Sequence, residues 1–152
     1  SDESLLRYTR RVGSGAAPVE AEAVWYEQNV TLADGVPRTL DLTALQRWLF
    51  DDVLQIALVS VRALMVVNHS AAAACLTVGG AAGDEWSGPF ADAGQRLVVP
   101  GQGVLLLAAP AGGWPVDAAN RHLRLAASGG TVSYSIALLG TLAIDAPGSG
   151  ID

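Results

Sequence analysis

Between Leu97 and Leu139 the sequence alternates short apolar runs with turn residues, and this stretch constrains the fold more than any other. The runs have the length of β-strands, and Gly and Pro residues separate them, as at Pro100 to Gly103 and Gly112 to Pro115. Gly supplies backbone angles that turns need, and Pro lacks the amide donor that a strand ladder uses. The stretch therefore predicts a meander of antiparallel strands.

Two earlier segments predict a hairpin. Residues 24–32 are rich in aromatic and β-branched side chains, which favour strands, and they end at Ala33-Asp34-Gly35. A short Asp-Gly connection is typical of a tight turn between paired strands. The alternating residues 38–42 then predict the return strand. Residues 43–50 predict either one helical turn capped by Thr43 or a loop that stacks Trp48 on the core.

Nearly continuous apolar runs over 53–61 and 64–67 predict strands that are covered on both faces. A single buried helix over 53–67 is the alternative, but the Val and Ile content favours strands. Another strand is predicted at Cys75 to Val78, and a long loop follows over 81–94. Loops of this length inside a compact domain are often functional.

Together these segments give about eight to ten short strands and at most one helical turn, which predicts an all-β fold. We expect a single antiparallel β-sandwich or a jelly-roll-like barrel over residues 24–140. Residues 1–23 predict an extended N-terminal arm, because a segment with three arginines is followed by one of linker composition. Residues 141–152 predict a C-terminal tail.

The charge balance argues against several classes of partner. The chain has 15 acidic and 9 basic residues, so its net charge of -6 disfavours nucleic-acid binding. No run approaches the roughly 18 apolar residues that span a bilayer. The first residues lack the apolar core of a signal peptide, so we expect a protein made inside a cell. Only 16% of residues are charged, which favours a surface partly covered by other subunits.

Catalytic and metal-binding patterns are weak. His69 and His122 are interpreted as surface or turn residues, and Cys75 as a small buried hydrophobe at the start of a strand. Zinc-ligand spacings and the spaced acidic pattern of a calcium loop are missing from the sequence. Asp51-Asp52 and Asp84-Glu85 are adjacent pairs, which is typical of solvated turns rather than of two acids facing one cleft. We therefore predict no catalytic, cofactor or metal site.

Large aromatic and basic side chains are the candidates for partner binding. Trp25 and Trp48 are interpreted as core residues. Trp86 and Trp114 lie in Gly- and Pro-rich loops, where each either plugs the end of the sandwich or anchors a partner. The predicted partner-binding residues are Arg7, Tyr8, Arg10 and Arg11 in the arm, and Trp86, Phe90 and Trp114 in the loops.

Several segments resemble small structural proteins of tailed-bacteriophage virions. These segments are Thr39 to Leu45, Val61 to Asn68, Leu76 to Gly79, Trp86 to Phe90, Gly103 to Leu107, Gly113 to Val116, Leu123 to Leu125 and Tyr134 to Gly140. The resemblance implies a β domain with terminal arms that coats or cements a capsid, and it implies no catalytic residues. It further implies a virion location after assembly in the host cytoplasm.

The resulting hypothesis is a non-enzymatic capsid decoration or cement protein. It would bind the major capsid protein or other virion proteins, form small homo-oligomers, and bind neither nucleic acid nor membrane. The alternative is a carbohydrate- or receptor-binding tail domain that stacks sugars on Trp86 and Trp114. A third hypothesis, a hydrolase that uses Asp84 or Glu85, requires carboxylates with perturbed pKa values in a cleft.

Overall fold

A computed structural model of the chain describes residues 20–49 and 51–143, and within these ranges it is built almost entirely of strands. The strands are β1 (Glu20–Leu32), β2 (Pro37–Asp41), β3 (Leu45–Leu49), β4 (Asp52–Ile56), β5 (Leu58–Asn68), β6 (Cys75–Gly79), β7 (Arg96–Val99), β8 (Val104–Ala108), β9 (Trp114–Pro115), β10 (His122–Ser128) and β11 (Val132–Ala143). One 3-10 turn, Gly88–Phe90, interrupts the loop between β6 and β7.

Two antiparallel sheets form a sandwich, which confirms the predicted all-β fold. The first, sheet A, has the order β1-β11-β5-β8, with the short β9 also paired to β5. The second, sheet B, has the order β2-β10-β6-β7. Strands from the two ends of the chain interleave, since β1 pairs with β11, β2 with β10 and β5 with β8, while β6 and β7 pair with each other. This interleaving is the jelly-roll arrangement of eight strands.

The predicted meander after Leu97 is wrong, although its strands exist. β7 and β10 belong to sheet B, whereas β8 and β11 belong to sheet A, so the chain crosses between sheets at each connection. A meander would leave its two faces without a second apolar layer. The crossovers bury the apolar side of every strand against the opposite sheet, which is the stronger driving force.

The predicted hairpin between β1 and β2 is also wrong, because the two strands belong to different sheets. β1 pairs with β11, and β2 pairs with β10. A turn does form at the expected place, where the Val36 amide donates to the Ala33 carbonyl at 2.9 Å. The Gly35 amide, however, donates to the Ala127 carbonyl in β10 at 2.8 Å, and this contact directs the chain onto sheet B.

Residues 43–49 do not form the predicted helical turn or loop, and Phe50 and the side chain of Trp48 lie outside the described part of the structure. β3 pairs with β4 in a separate two-stranded hairpin, in the register Leu45 to Ile56 through Leu49 to Asp52. The Leu45 side chain is buried in the core, and the Trp25 indole N–H donates to the Gln46 carbonyl at 2.8 Å. These two contacts fix the hairpin to the sandwich.

The preference for strands over a helix in residues 53–67 is confirmed, but the boundaries and the burial differ. The chain breaks between β4 and β5, and β4 is mostly exposed. β5 is the central apolar strand, with Leu64 and Val66 fully buried. Its opposite side, at Met65 and Val67, is only partly covered. The expectation of cover on both faces is therefore met on the inner face alone.

The core lies between the sheets and is built from alternate residues of both. Among its members are Trp25, Leu40, Leu64, Val66, Leu76, Val78, Leu123, Leu125, Tyr134, Ile136 and Leu138. Of these, Trp25 is buried as the sequence predicted. Among the described residues, no helix combines the length and apolar character needed to cross a membrane.

Strand pairing extends past both predicted domain boundaries. β1 begins at Glu20 and pairs with β11 as far as Ala143, whereas the sequence placed the domain at 24–140. Residues 20–23, which were predicted to belong to the arm, and residues 141–143, which were predicted to belong to the tail, therefore lie in sheet A. The rest of both segments lies outside the described residues.

Candidate functional site

The middle of the outer side of sheet A carries uncharged side chains on four strands, β1, β11, β5 and β8. Side chains alternate across a strand, and directly paired residues project to the same side. Because Trp25, Leu64 and Leu138 point into the core, their sequence neighbours point outward. The outward rows are Val24, Leu139, Ala63 and Ala108; Tyr26, Ala137, Met65 and Leu106; and Ser135, Val67 and Val104. We call these eleven residues the sheet-A face.

Several large side chains of the sheet-A face are open to solvent. Tyr26 and Val104 are each 54% exposed, and Leu106 is 43% exposed. Polar residues close the face at both ends, with Glu22 beyond the first row and Thr31 and Ser133 beyond the third. A contiguous apolar patch with a polar rim is typical of a protein interaction site.

The outer side of sheet B is built differently. By the same register its outward residues are Pro37, Thr39, Asp41, Cys75, Thr77, Arg96, Val98, His122, Arg124 and Ala126, which we call the sheet-B face. Four of these side chains are charged or titratable near neutral pH, and only Val98 is a large exposed hydrophobe. Such a surface is stable in water without a partner.

One end of the sandwich is plugged by aromatic side chains. Trp86 is 0% exposed, and its ring meets the rings of Phe90 and Trp114 edge-on, with centroids 6.3 and 6.2 Å away. Its indole N–H donates to the Pro115 carbonyl at 3.2 Å. Gly88 allows this packing, because a Cβ there would lie 2.7 Å from the Trp114 Cβ.

The plug corrects the prediction that Trp86 and Phe90 contact a partner, whereas partner binding by Trp114 stays a prediction. Trp86 and Phe90 are both buried, and Trp114 is half-buried against the core. Buried rings offer no face on which a sugar could stack. Of the two alternatives for Trp86, the structure has the core plug.

The acidic residues of the same loop hold it in place. Both oxygens of the Glu85 carboxylate accept backbone hydrogen bonds, from the Gly80 amide at 3.2 Å and the Gly94 amide at 2.8 Å. Asp84 forms an ion pair with Arg121 at 3.2 Å. The pair expected in a solvated turn therefore acts as two anchors on opposite sides of the loop.

Arg121 also binds Asp41, at the end of β2, so that one guanidinium joins three segments of the chain. Burial alone would raise the pKa of the Asp41 carboxyl. The hydroxyl and amide of Thr43 both donate to it, at 2.6 and 2.9 Å, and together with the Arg121 charge they lower its pKa below the usual value.

A second ionic contact joins the two sheets on the inner side. Arg38 in β2 donates to both carboxylate oxygens of Glu27 in β1, at 2.6 and 3.1 Å, and to the Tyr134 hydroxyl at 2.8 Å. The Glu27 hydrogen bond raises the pKa of Arg38, and burial raises the pKa of the Tyr134 phenol. The guanidinium therefore stays charged and fully paired between the sheets.

The remaining titratable candidates have structural surroundings. His69 is exposed and contacts the Ser135 hydroxyl at 2.8 Å, and His122 contacts the Gly83 carbonyl at 2.7 Å. Cys75 opens β6 as predicted but is partly exposed rather than buried, because its side chain projects from the sheet-B face. Within residues 20–49 and 51–143, no group of three or more His, Cys, Asp or Glu residues is placed to hold a metal ion.

Sequence reasoning did not identify the residues of the sheet-A face. Its signal was present in β8, Val104 to Ala108, which is apolar at every position although it forms an edge of the sheet. The candidate residues Arg7, Tyr8, Arg10 and Arg11 lie outside the described residues. No protein-family model matches the chain, and no curated protein matches it.

Proposed function

We propose that the chain is a non-enzymatic structural protein that coats or cements a virion capsid by binding the major capsid protein or other virion proteins. The sheet-A face carries this proposal. It combines eleven uncharged outward residues with a polar rim on a chain whose net charge is -6. A protein that works inside an assembly has a reason to keep such a face, because its neighbours cover it.

The architecture adds support by analogy. Jelly rolls occur in viral capsid proteins as well as in lectins and enzymes of the cupin type, so the fold alone selects no function. The loop that the other two hypotheses require for sugar binding or hydrolysis makes contacts within the chain instead. Trp86 is buried in the aromatic plug, and Glu85 accepts hydrogen bonds from two backbone amides. These contacts favour the assembly function over the other two hypotheses.

The mechanism would combine weak contacts by avidity. An apolar sheet face supplies burial without charge repulsion between acidic subunits. The arginines in residues 1–23, which are predicted to bind a partner, would add contacts to acidic surface on a neighbouring protein. When many copies occupy a repetitive shell, the sum of modest contacts gives stable attachment.

The test is the abundance of the chain in purified particles. Virion-sized particles from the source culture are isolated on a density gradient, and the copy number of the chain is measured by quantitative mass spectrometry against the major shell protein. We expect a fixed ratio that persists after a salt wash, because apolar contacts resist screening. Loss of the chain from the particle fraction would contradict the proposal.

A further inference from the structure

We propose that the sheet-A face binds the sheet-A face of a second copy of this chain, which gives a symmetric dimer of two sandwiches. The inference rests on the assembly function proposed above, because both use this face, but it concerns a different partner. It is argued from the composition of the face, the placement of large and small residues on it, and its area.

The composition of the face permits self-association of an acidic protein. Each copy carries a net charge of -6, so two copies repel each other through most orientations. The rows between β1 and β8 contain no charged side chain, and Glu22 lies beyond the first row rather than in it. Apposition of the two faces therefore brings apolar surface together while it keeps the acidic groups at the rim.

At the centre of the face, large and small side chains form a checkerboard. Leu139 in β11 lies beside Ala63 in β5, and in the next row Ala137 in β11 lies beside Met65 in β5. Ala63 is only 8% exposed, because its larger neighbours rise around it, and it is absent from the core cluster. The centre therefore has two raised side chains and two depressions on alternating corners.

A two-fold axis can place the large residues of this checkerboard opposite the small residues of a second copy. If the axis runs parallel to the strands, in the interface plane and midway between β11 and β5, it places β11 of one copy opposite β5 of the other. Leu139 then faces Ala63, and Met65 faces Ala137, twice each by symmetry. Packing of large residues into small ones is the pattern by which layers interdigitate. An isologous contact of this kind closes after two copies.

The axis pairs the outer strands as well, although in one of these pairs two large residues face each other. The axis sets β1 of one copy opposite β8 of the other, so Val24 faces Ala108 and Tyr26 faces Leu106. Four strands at the usual spacing and three rows of alternate residues give a face of about 20 by 20 Å, or roughly 800 Å² buried in total over both copies. Interfaces below about 1,200 Å² belong to weak, transient complexes, so we expect a dissociation constant no lower than about 10 μM.

Sedimentation equilibrium of the full chain tests the dimer. Wild type is measured from about 1 to 200 μM, a range that brackets the expected dissociation constant. Leu106→Glu places two carboxylates in the apolar interface, and we expect dimerisation at least about 100-fold weaker. Val98→Glu is the matched control, because Val98 is 61% exposed on the sheet-B face, and it should dimerise as wild type does.

A second pair of variants tests the checkerboard without adding charge. Ala137→Leu fills the depression opposite Met65 and should weaken the dimer about 10-fold through overpacking. Ala126→Leu makes the same change on the sheet-B face and should leave the dimer unchanged. Circular dichroism of each variant verifies that it folds. If Leu106→Glu does not fold, the comparison of Ala137→Leu with Ala126→Leu still tests the dimer.

Three results would overturn the inference. They are a wild-type chain that stays monomeric at 200 μM, a dimer that survives both Leu106→Glu and Ala137→Leu, and a dimer that Val98→Glu dissociates as strongly. Failure of the dimer leaves the capsid proposal to its own test in purified particles. A monomeric chain that occupies particles through the sheet-A face would assign that face to another virion protein instead of a second copy.

Discussion

The two outer faces of the sandwich have the same number of main strands and the same interior behind them, yet they differ in chemistry. The sheet-A face has no charged residue in its three rows, whereas the sheet-B face carries Asp41, Arg96 and Arg124. The interior requires only that one side of each strand be apolar. The opposite side is free to vary, so the contrast reflects the surroundings of each face rather than the needs of folding.

This contrast separates two kinds of effect. Substitutions between the sheets should change the free energy of unfolding, whichever sheet carries them. Substitutions on the outer faces should change association on the sheet-A face and almost nothing on the sheet-B face, except at Asp41, which Thr43 and Arg121 bind. Each prediction below tests this separation between effects on unfolding and effects on association.

The largest effect is expected at the plug. Trp86→Ala removes a fully buried indole and its contacts with Phe90 and Trp114, so it should lower the free energy of unfolding by about 4 kcal/mol. Urea denaturation measures the change. A loss below about 1 kcal/mol would mean that the loop is not part of the cooperative core.

The ionic contact between the sheets comes next. Arg38→Met leaves the Glu27 carboxylate and the Tyr134 hydroxyl without their shared donor, and we expect a loss of about 2 kcal/mol, between the values for exposed and buried pairs. Arg124→Met removes an arginine from the sheet-B face and should cost about 0.5 kcal/mol or less. Equal losses would contradict the separation between interior and face.

A smaller, pH-dependent effect is expected at Asp41. Its pKa is lowered in the folded chain, so ionised Asp41 stabilises the fold above its unfolded pKa, and this contribution is lost as the pH falls through the folded value. Asp41→Asn should cost about 1 kcal/mol at pH 7 and less at pH 3, where the carboxylate is partly protonated. Urea denaturation at both values measures this, and an equal cost at both would contradict the assigned cause.

The smallest effect on the monomer is expected on the faces themselves. Leu106→Thr and Val98→Thr should each change the free energy of unfolding by about 0.5 kcal/mol or less in dilute solution. Dimerisation makes the melting temperature rise with concentration. We expect this rise in wild type and Val98→Thr and a much weaker one in Leu106→Thr. Identical behaviour of the two variants would remove the contrast between the faces.

The sequence predicted the elements better than their partners. Strand length and composition identify β6, because short apolar runs bounded by turn residues have few other interpretations. The choice of sheet depends on contacts between distant residues, such as Gly35 with Ala127, and no local pattern specifies it. The hairpin and the meander were wrong for this reason.

Part of the candidate site could be predicted from the sequence. The continuous apolar run of β5 predicted cover on both faces, but the isolated chain covers only the inner one. The low charge content of the sequence also indicated a surface that other subunits partly cover. The rows of the face could not be read, because they require the register between Leu139, Ala63 and Ala108. Arg121 and Asp41 are likewise 80 positions apart.

The account's central claim is that a second copy of the chain covers the sheet-A face and leaves the sheet-B face open. The chain contains one Met and one Cys, and these report on the two faces separately, since Met65 lies at the centre of the first and Cys75 on the second. The rate of Met65 oxidation by peroxide and the rate of Cys75 alkylation are measured in separate samples from about 1 to 200 μM, across the expected dissociation constant. The account predicts that oxidation of Met65 slows severalfold as the concentration rises, while alkylation of Cys75 stays constant. A Met65 rate that does not depend on concentration, or protection of Cys75 in its place, would contradict it.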